Sequence, residues 1–321
     1  MGIKKIGVLT SGGDAPGMNA AVRAVVRTAL NKGVEVVGIV GGYTGLINGE
    51  IIDFNLRSVS EIIHRGGTVL YSSRCPEFKT EEGILKAVET CKKHGIDGIV
   101  TIGGDGTFRG ARDLSLHGIP CVGIPATIDN DIASTDYTIG FDTAMNTLME
   151  MVDRLRDTAQ SHARCSVVEV MGRGAGYLAL RTGIAVGAVS ILVPEVEYNI
   201  DEIVERMMKT KKTGKKHFII VVAEGIGKVK YIAKEIEDKT GIETRATVLG
   251  HVQRGGRPTV RDRVMASRMG YAAVELLVQG VGNRVISFTD NKIVDFDIYE
   301  ALSMERKFDY DLYRIAHEIS I

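Results

Sequence analysis

The chain of 321 residues is 44% hydrophobic and 25% charged, enough apolar material for a sizeable core and for two domains. Its 40 basic and 40 acidic residues cancel, so no global field favours nucleic acid or an anionic membrane, and any anion must be held by a local cluster. The four cysteines, Cys75, Cys91, Cys121 and Cys165, are scattered without a CxxC pair, and no apolar run approaches a membrane span. This argues against zinc, a disulfide framework and an anchor, and it fits a reducing, cytoplasmic setting without a signal peptide.

Short runs rich in Val and Ile alternate with longer segments of three- and four-residue apolar spacing. They predict strands at 6–10, 34–40, 98–102, 121–124, 166–170, 190–193 and 218–223, and helices over 17–32, 80–94, 141–157 and 261–280. Such alternation predicts βαβ units and a parallel sheet covered on both faces. Strand after strand runs into a loop suited to ligands: SGGDAPG, GGDGT, PATIDND, MGRGAG and EGIG. Since open α/β sheets bind ligands beyond the carboxyl ends of their strands, the expectation is that five loops line one crevice.

SGGDAPG and GGDGT can each present several backbone N–H groups to an anion, with a helix dipole behind them. Neither matches the P-loop pattern, and the chain has no GxGxxG, so a dinucleotide fingerprint is absent and an oxidoreductase is disfavoured. Asp105 inside GGDGT has two readings, a helix cap or a carboxylate on Mg2+ shared with a phosphate; the second is favoured in the company of the other loops. Asp129 and Asp131 in TIDND have three: helix capping, holding a cation, or proton abstraction by one with the metal handled by the other. Arg74, Arg164, Arg173, Arg245 and Arg254 sit in or near glycine-bearing loops, where a guanidinium fork suits phosphate. His251 reads as a hydrogen-bonding ligand to phosphate or sugar rather than a base, and Glu224 as a hydroxyl acceptor or a helix cap. Arg23 and Arg27, four apart, share one helix face that is ordinarily solvated, and Lys215 and Lys216 flank a strand.

With SGGDAPGMNA, GGDGT, TIDND, MGR and GHVQRGG in this order, the whole chain resembles the bacterial ATP-dependent 6-phosphofructokinases. GGDGT is shared with NAD kinases and diacylglycerol kinases, whereas TIDND together with GHVQRGG is close to diagnostic. The resemblance implies two Rossmann-like α/β/α domains with mainly parallel sheets and an active site in the cleft between them. The expected ATP-binding domain takes 1–139 and 253–305, the fructose 6-phosphate-binding domain 140–252, and a C-terminal segment 306–321 packs on the latter. It implies transfer of the γ-phosphoryl of Mg-ATP to the 1-hydroxyl of fructose 6-phosphate. Gly13, Arg74, Cys75, Gly104, Asp105, Gly106 and Thr107 would bind ATP, with Asp105 at the Mg2+. Asp129 would be the base, Thr127 and Ile128 would stand beside the transferring group, and Asp131 would order the metal and the loop. Met171, Gly172, Arg173, Glu224, His251, Val252, Gln253 and Arg254 would hold the sugar phosphate, with Arg74 and Arg173 also neutralising charge. Arg164 and Arg245 would reach the sugar phosphate from a neighbouring subunit of a homotetramer.

An effector site for ADP or phosphoenolpyruvate is matched by Arg23, Arg27, Arg156, Lys215, Lys216 and His217. It departs at Val189, where the family has a glutamate, at Thr213, where it has a lysine, and at Leu56, where arginine is frequent, so the resemblance implies a weak or altered effector response. Tyr177 replaces a usual aspartate. Pyrophosphate-using members carry Asp and Lys at the positions of Gly106 and Ala126, so ATP is the expected donor; Ala126 also replaces the glycine of the ATP type, and its methyl is tolerable if φ is negative. The rivals are an NAD kinase type enzyme, which leaves TIDND and GHVQRGG unaccounted for, a pyrophosphate-dependent sugar-phosphate kinase, and a nucleotide-binding regulator without catalysis.

Overall fold

The computed structural model describes residues 2–320. Its strands are β1 (Lys5–Ser11), β2 (Glu35–Ile39), β3 (Ile51–Phe54), β4 (Gly98–Gly103), β5 (Cys121–Pro125), β6 (Cys165–Val170), β7 (Ser190–Leu192), β8 (Phe218–Ala223), β9 (Thr244–Val248), β10 (Arg284–Thr289) and β11 (Lys292–Asp297). The chain divides into two compact units. One takes the chain up to Ile128 together with Ile132–Thr143 and Arg254–Arg306; the other takes Asp129–Asp131, Ala144–Gln253 and the chain from Lys307 onward.

The first unit holds a sheet in the order β11-β10-β5-β4-β1-β2-β3. It is parallel apart from β3 and β11, which pair antiparallel with β2 and β10. Residues of β1, β4 and β5 are buried almost throughout, which is why these strands read as unbroken apolar runs. Leu9, Ile39, Leu46, Ile99, Phe108 and Leu114 form the core on one face. The register sets Ser11 beside Gly103 and Gly103 beside Pro125, so three loops leave the sheet level with one another. From β1 the chain goes first to β2 on one side and later to β4 on the other, which makes the β1/β4 boundary a topological switch point.

The second unit holds an all-parallel sheet, β7-β8-β6-β9. Its core is drawn from β6, β7, β8 and their helices, with Val167, Leu192, Ile203, Met207, Phe218 and Ile220 at its centre. The helix Tyr310–Glu318 belongs to this unit. Phe308 just before it lies 6.1 Å from the ring of Tyr177 and 5.2 Å, edge on, from Tyr310. Tyr177 thus serves as an aromatic anchor for the C-terminal segment.

The ligand-type loops leave two sheets: those after β1, β4 and β5 belong to the first, and those after β6 and β8 to the second. The expected strand set is corrected. The second half also holds strands that the periodicity did not predict, β9, β10 and β11, and β3 is missed in the first. β3, β9 and β11 are edge strands with exposed or half-buried residues, so they lack the continuous apolar signal. Among the described residues, no helix is long and apolar enough to cross a membrane.

Candidate active site

In the first unit the site is built around backbone. Thr107 Oγ1 donates to the Ser11 carbonyl at 3.1 Å, and Tyr43 OH to the Thr107 carbonyl at 2.6 Å. A Cβ on Gly103 would stand 2.4 Å from the Ser11 oxygen and 2.3 Å from Thr107 Oγ1, so glycine is required for the two turns to close on each other. The segment leading to Arg74 and Cys75 is strapped to the same place. Ser72 Oγ donates to the Gly12 carbonyl at 2.6 Å and Thr10 Oγ1 to that of Tyr71 at 2.7 Å. Asn19, buried at the start of the Met18–Asn31 helix, accepts from Val69 N at 2.7 Å and donates to the Arg65 carbonyl at 3.1 Å. Arg254 donates to the Asp14 carbonyl at 3.1 Å and lies over Gly13, where a Cβ would meet its guanidinium at 2.4 Å. The expected ATP-site loops bearing Gly13, Arg74, Cys75 and Gly104–Thr107 therefore do gather in one unit, with Arg254 beside them.

Asp105 is not a cap. Gly104 is the N-cap of the Asp105–Leu116 helix and no side chain closes it. The Asp105 carboxylate turns along the helix instead, where its Oδ2 accepts from Arg109 Nε at 3.2 Å and Nη2 at 2.9 Å. Its Oδ1 meets no donor among the described residues, and the side chain is 47% exposed. One available carboxylate oxygen at a helix N-terminus fits a hard cation that takes its other ligands from phosphate and water. No group of three His, Cys, Asp or Glu able to cage a metal occurs among the described residues, so a cation here would need ligands from outside the chain.

The capping reading fails for Asp129 and Asp131 as well, because no helix begins between Asp131 and Phe141. The loop leaves β5 through Ala126, which donates to the Gly103 carbonyl at 2.9 Å and bridges to Ile139. Thr127, Ile128, Asp129 and Asn130 are all buried, and Asn130 takes a left-handed φ of 50° that asparagine tolerates. Thr138 Oγ1 donates to the Thr127 carbonyl at 2.7 Å. Ala126 is absent from the residues of positive φ, so its methyl costs no backbone strain. A Cβ at Gly106 would meet nothing within 4 Å, so space does not exclude a side chain there.

Asp262 is a residue that sequence reasoning missed. It is fully buried and accepts from Tyr137 OH at 2.5 Å, Gly140 N at 2.8 Å, Thr143 N at 2.9 Å and Thr143 Oγ1 at 2.5 Å. Burial pushes its carboxyl up, against the pull of these donors. It buckles the return segment that carries Thr138, and so supports Thr127. A signal was present: Thr259 caps the Val260–Val278 helix by accepting from Asp262 N at 3.3 Å, and Thr-x-x-acid marks such a start.

In the second unit the loops are held by side chains. MGR turns sharply after β6: Gly172 has φ 139°, Arg173 φ 59°, and Ala175 N donates to the Gly172 carbonyl at 2.9 Å. Glu224 does not cap a helix, since Ala223 occupies the N-cap of the short 3-10 turn it opens. Its Oε1 accepts instead from Gly172 N at 3.2 Å and Arg173 N at 2.6 Å. Gln253, fully buried, accepts from Met171 N at 3.0 Å and donates to the Gly250 carbonyl at 2.9 Å. Met171 and Gly172 are buried, while Arg173, His251 and Val252 are exposed. Burial, and then the charge of Glu224, push the Glu169 carboxyl up, so two carboxylates meet at the end of β6 and β8.

Arg245 lies on edge strand β9 rather than in a loop. It and Arg164 share one carboxylate, Glu243, through contacts of 2.5 to 3.0 Å.

Of the expected effector residues, Arg23 and Arg27 are half-buried, which corrects the solvated-face reading. Burial, then Arg27, lower the Arg23 guanidinium. In the second unit burial, then Arg156, lower Lys215; burial, Arg156 and Lys215 lower His217, so two cations and an imidazole disfavoured from protonating converge there, with Lys216 exposed between Lys215 and His217 in sequence. Val189 is in the core beside Ile203, Met207 and Phe218. Thr213 Oγ1 turns back to the Thr210 carbonyl at 2.7 Å, and Leu56 is exposed.

The family model described as Phosphofructokinase matches residues 5–277. The chain belongs to the phosphofructokinase family. The ATP-dependent 6-phosphofructokinase of Bacillus cereus (strain B4264) is 58% identical over 319 residues, covering 99% of this chain and 100% of the relative. That of Bacillus thuringiensis (strain Al Hakam) is 57% identical with the same coverage. Among solved structures, phosphofructokinase from Saccharomyces cerevisiae has a TM-score of 0.88 and 36% identity over 93% of this chain, which spans 45% of the yeast chain. Pyrophosphate-dependent phosphofructokinase from Marinobacter aquaeolei has a TM-score of 0.86 over 99% of this chain and 92% of its own; at 23% identity it shows the shared fold alone. The mixed α/β architecture with mainly parallel sheets is thus the phosphofructokinase fold.

Proposed function

We propose that the protein is an ATP-dependent 6-phosphofructokinase, transferring the γ-phosphoryl of Mg-ATP to the 1-hydroxyl of fructose 6-phosphate to give fructose 1,6-bisphosphate and ADP in glycolysis. The observation that carries this reading is the 58% identity, over the full length of both chains, to a relative of that activity. The first unit would hold ATP and the second the sugar phosphate. ATP is preferred over pyrophosphate because Gly106 and Ala126 put no charge beside the glycine turns.

In this reading Gly13, Arg74, Cys75 and Gly104–Thr107 cradle the nucleotide with backbone amides and one guanidinium. Asp105 would hold Mg2+, which would neutralise charge on the phosphates. The 1-hydroxyl oxygen forms its bond to the γ-phosphorus while the bond to the β-γ bridging oxygen breaks, and the hydroxyl proton passes to Asp129. Thr127 and Asp131 order the loop around it. Phosphoryl transfer through a loose transition state depends on positioning and charge neutralisation more than on covalent help, so Arg74 and Arg173 contribute more than the base. Met171, Gly172, Glu224, His251 and Arg254 fix the sugar phosphate, joined by Arg164 and Arg245 from a neighbouring subunit of a cytoplasmic homotetramer. The effector residues Arg23, Arg27, Arg156, Lys215, Lys216 and His217 would take ADP or phosphoenolpyruvate weakly, since Val189 offers no carboxylate.

The test is to follow fructose 1,6-bisphosphate from fructose 6-phosphate with Mg-ATP and, in parallel, with Mg-pyrophosphate. Turnover with ATP alone is expected. Turnover with pyrophosphate would reverse the donor assignment, and none with either donor would mean that the loops serve another acceptor.

A further inference from the structure

Glu243 stands where two strands present their charges to each other. Cys165 pairs with Thr244 in the β6/β9 ladder, and Cys165 N donates to the Glu243 carbonyl at 2.9 Å, so Arg164 and Glu243 face each other one step before the ladder. Glu243 and Arg245, two apart, share a face of the extended chain. The carboxylate is split between the two guanidiniums: Oε2 accepts from Arg164 Nε at 2.6 Å, and Oε1 from Arg245 Nε at 3.0 Å and Nη2 at 2.5 Å. Among the described residues no other acid pairs with either arginine.

This triad is not a stability device. The Arg245 side chain is 69% exposed and that of Glu243 39%, and ion pairs in such a setting contribute little to folding. Its effect is on where two like charges point. Without an anion between them, long flexible arginines repel each other and sample many rotamers; with one, they face a common point before any ligand arrives. Enough donors remain for a ligand. A guanidinium carries five N–H groups; Arg164 spends only its Nε on Glu243, and Arg245 keeps its Nη1.

We infer that Glu243 is a positioning residue for the sugar phosphate, an internal anion that holds Arg164 and Arg245 converged so that their remaining N–H groups grip the phosphomonoester. The inference rests on the reading of Arg164 and Arg245 as phosphate ligands. Glu243 stays in place on binding, and the phosphate joins the triad through the outward guanidinium edges. The hydrogen bonds from Arg164 and then Arg245 hold the Glu243 carboxyl below its ordinary range, which keeps it ionised throughout the pH range of the assay.

The test measures KM for fructose 6-phosphate, KM for ATP and kcat for the full-length enzyme and for Glu243→Ala, Glu243→Asp, Arg164→Ala and Arg245→Ala, with thermal midpoints. Expected for Glu243→Ala is a rise in KM for fructose 6-phosphate of about tenfold, equivalent to about 1.4 kcal/mol, with kcat within about twofold, KM for ATP unchanged and the midpoint unmoved. Glu243→Asp, which keeps the charge, recovers part of the loss. In a background lacking both arginines, Glu243→Ala has no further effect. If both arginine variants raise KM for fructose 6-phosphate while Glu243→Ala leaves it unchanged or lowers it, the carboxylate is idle or competes with phosphate, and the inference is overturned. If neither arginine variant raises it, the phosphate-ligand reading itself fails, and the inference falls with it.

Discussion

In the unit of β1 and β4, the candidate site is held by main-chain carbonyls, small hydroxyls and a glycine that allows two turns to touch. In the unit of β6 and β8, the corresponding loops are held by single long side chains, Glu224 under Gly172 and Arg173 and Gln253 under Met171. The difference matches the ligands proposed for each. A nucleotide's phosphates are cradled by many weak, fixed amide dipoles, and the cradle depends on backbone shape. A sugar phosphate is gripped by a few guanidiniums, and the grip depends on the side chains that aim them. Substitutions in the first unit should therefore act through folding, and those in the second through substrate affinity.

The largest expected effect is on the first unit's buried carboxylate. Asp262→Ala strands four donors at once, and a buried unsatisfied group costs about 1–3 kcal/mol, so a loss of at least about 3 kcal/mol is expected in denaturant unfolding; a loss below about 1 kcal/mol would show that the return segment does not need this tie. Next comes Glu224→Ala, which removes a charged acceptor from two amides. Hydrogen bonds to charged groups contribute about 1.5–3 kcal/mol, so KM for fructose 6-phosphate should rise about 10- to 100-fold while KM for ATP stays put. Equal changes in both constants would blur the division between the units.

Gly103→Ala tests the opposite arm. Its Cβ would meet the Ser11 carbonyl at 2.4 Å, and overpacking of this kind costs about 1–3 kcal/mol. A lowered thermal midpoint is expected together with weaker ATP binding, and an unchanged midpoint would mean that the turns have slack. The smallest effect concerns regulation. With Val189 in the core and Leu56 exposed in place of charged groups, ADP should shift the fructose 6-phosphate saturation curve by less than about twofold; a strong activation curve would restore a working effector site.

The same contrast explains what could be read from sequence. β1, β4, β5, β6 and β8 are buried and announced themselves as unbroken Val and Ile runs, and the glycine turns after them are local patterns. The β10/β11 hairpin went unread although Asp290 and Asn291, both at positive φ, form the two-residue turn that joins the strands. Glu224 and Gln253 were picked out as substrate-side residues, but their partners lie 51 to 82 residues away, a distance no local pattern encodes. Asp105 and the TIDND carboxylates were open to a capping reading until the helix starts at Asp105 and Phe141 removed it. Glu243 escaped notice because an acid two residues before an arginine on a strand is unremarkable until the neighbouring strand brings Arg164 to it.

The most direct test of the account is Asp129→Asn, assayed for both turnover and ATP binding. Loss of a placed general base should lower kcat by about 10²–10⁴-fold with nucleotide affinity retained, as the nucleotide loops belong to other segments. Turnover close to that of the parent enzyme would contradict Asp129 as the proton acceptor and, with binding intact, would favour a chain that holds nucleotide without needing a base.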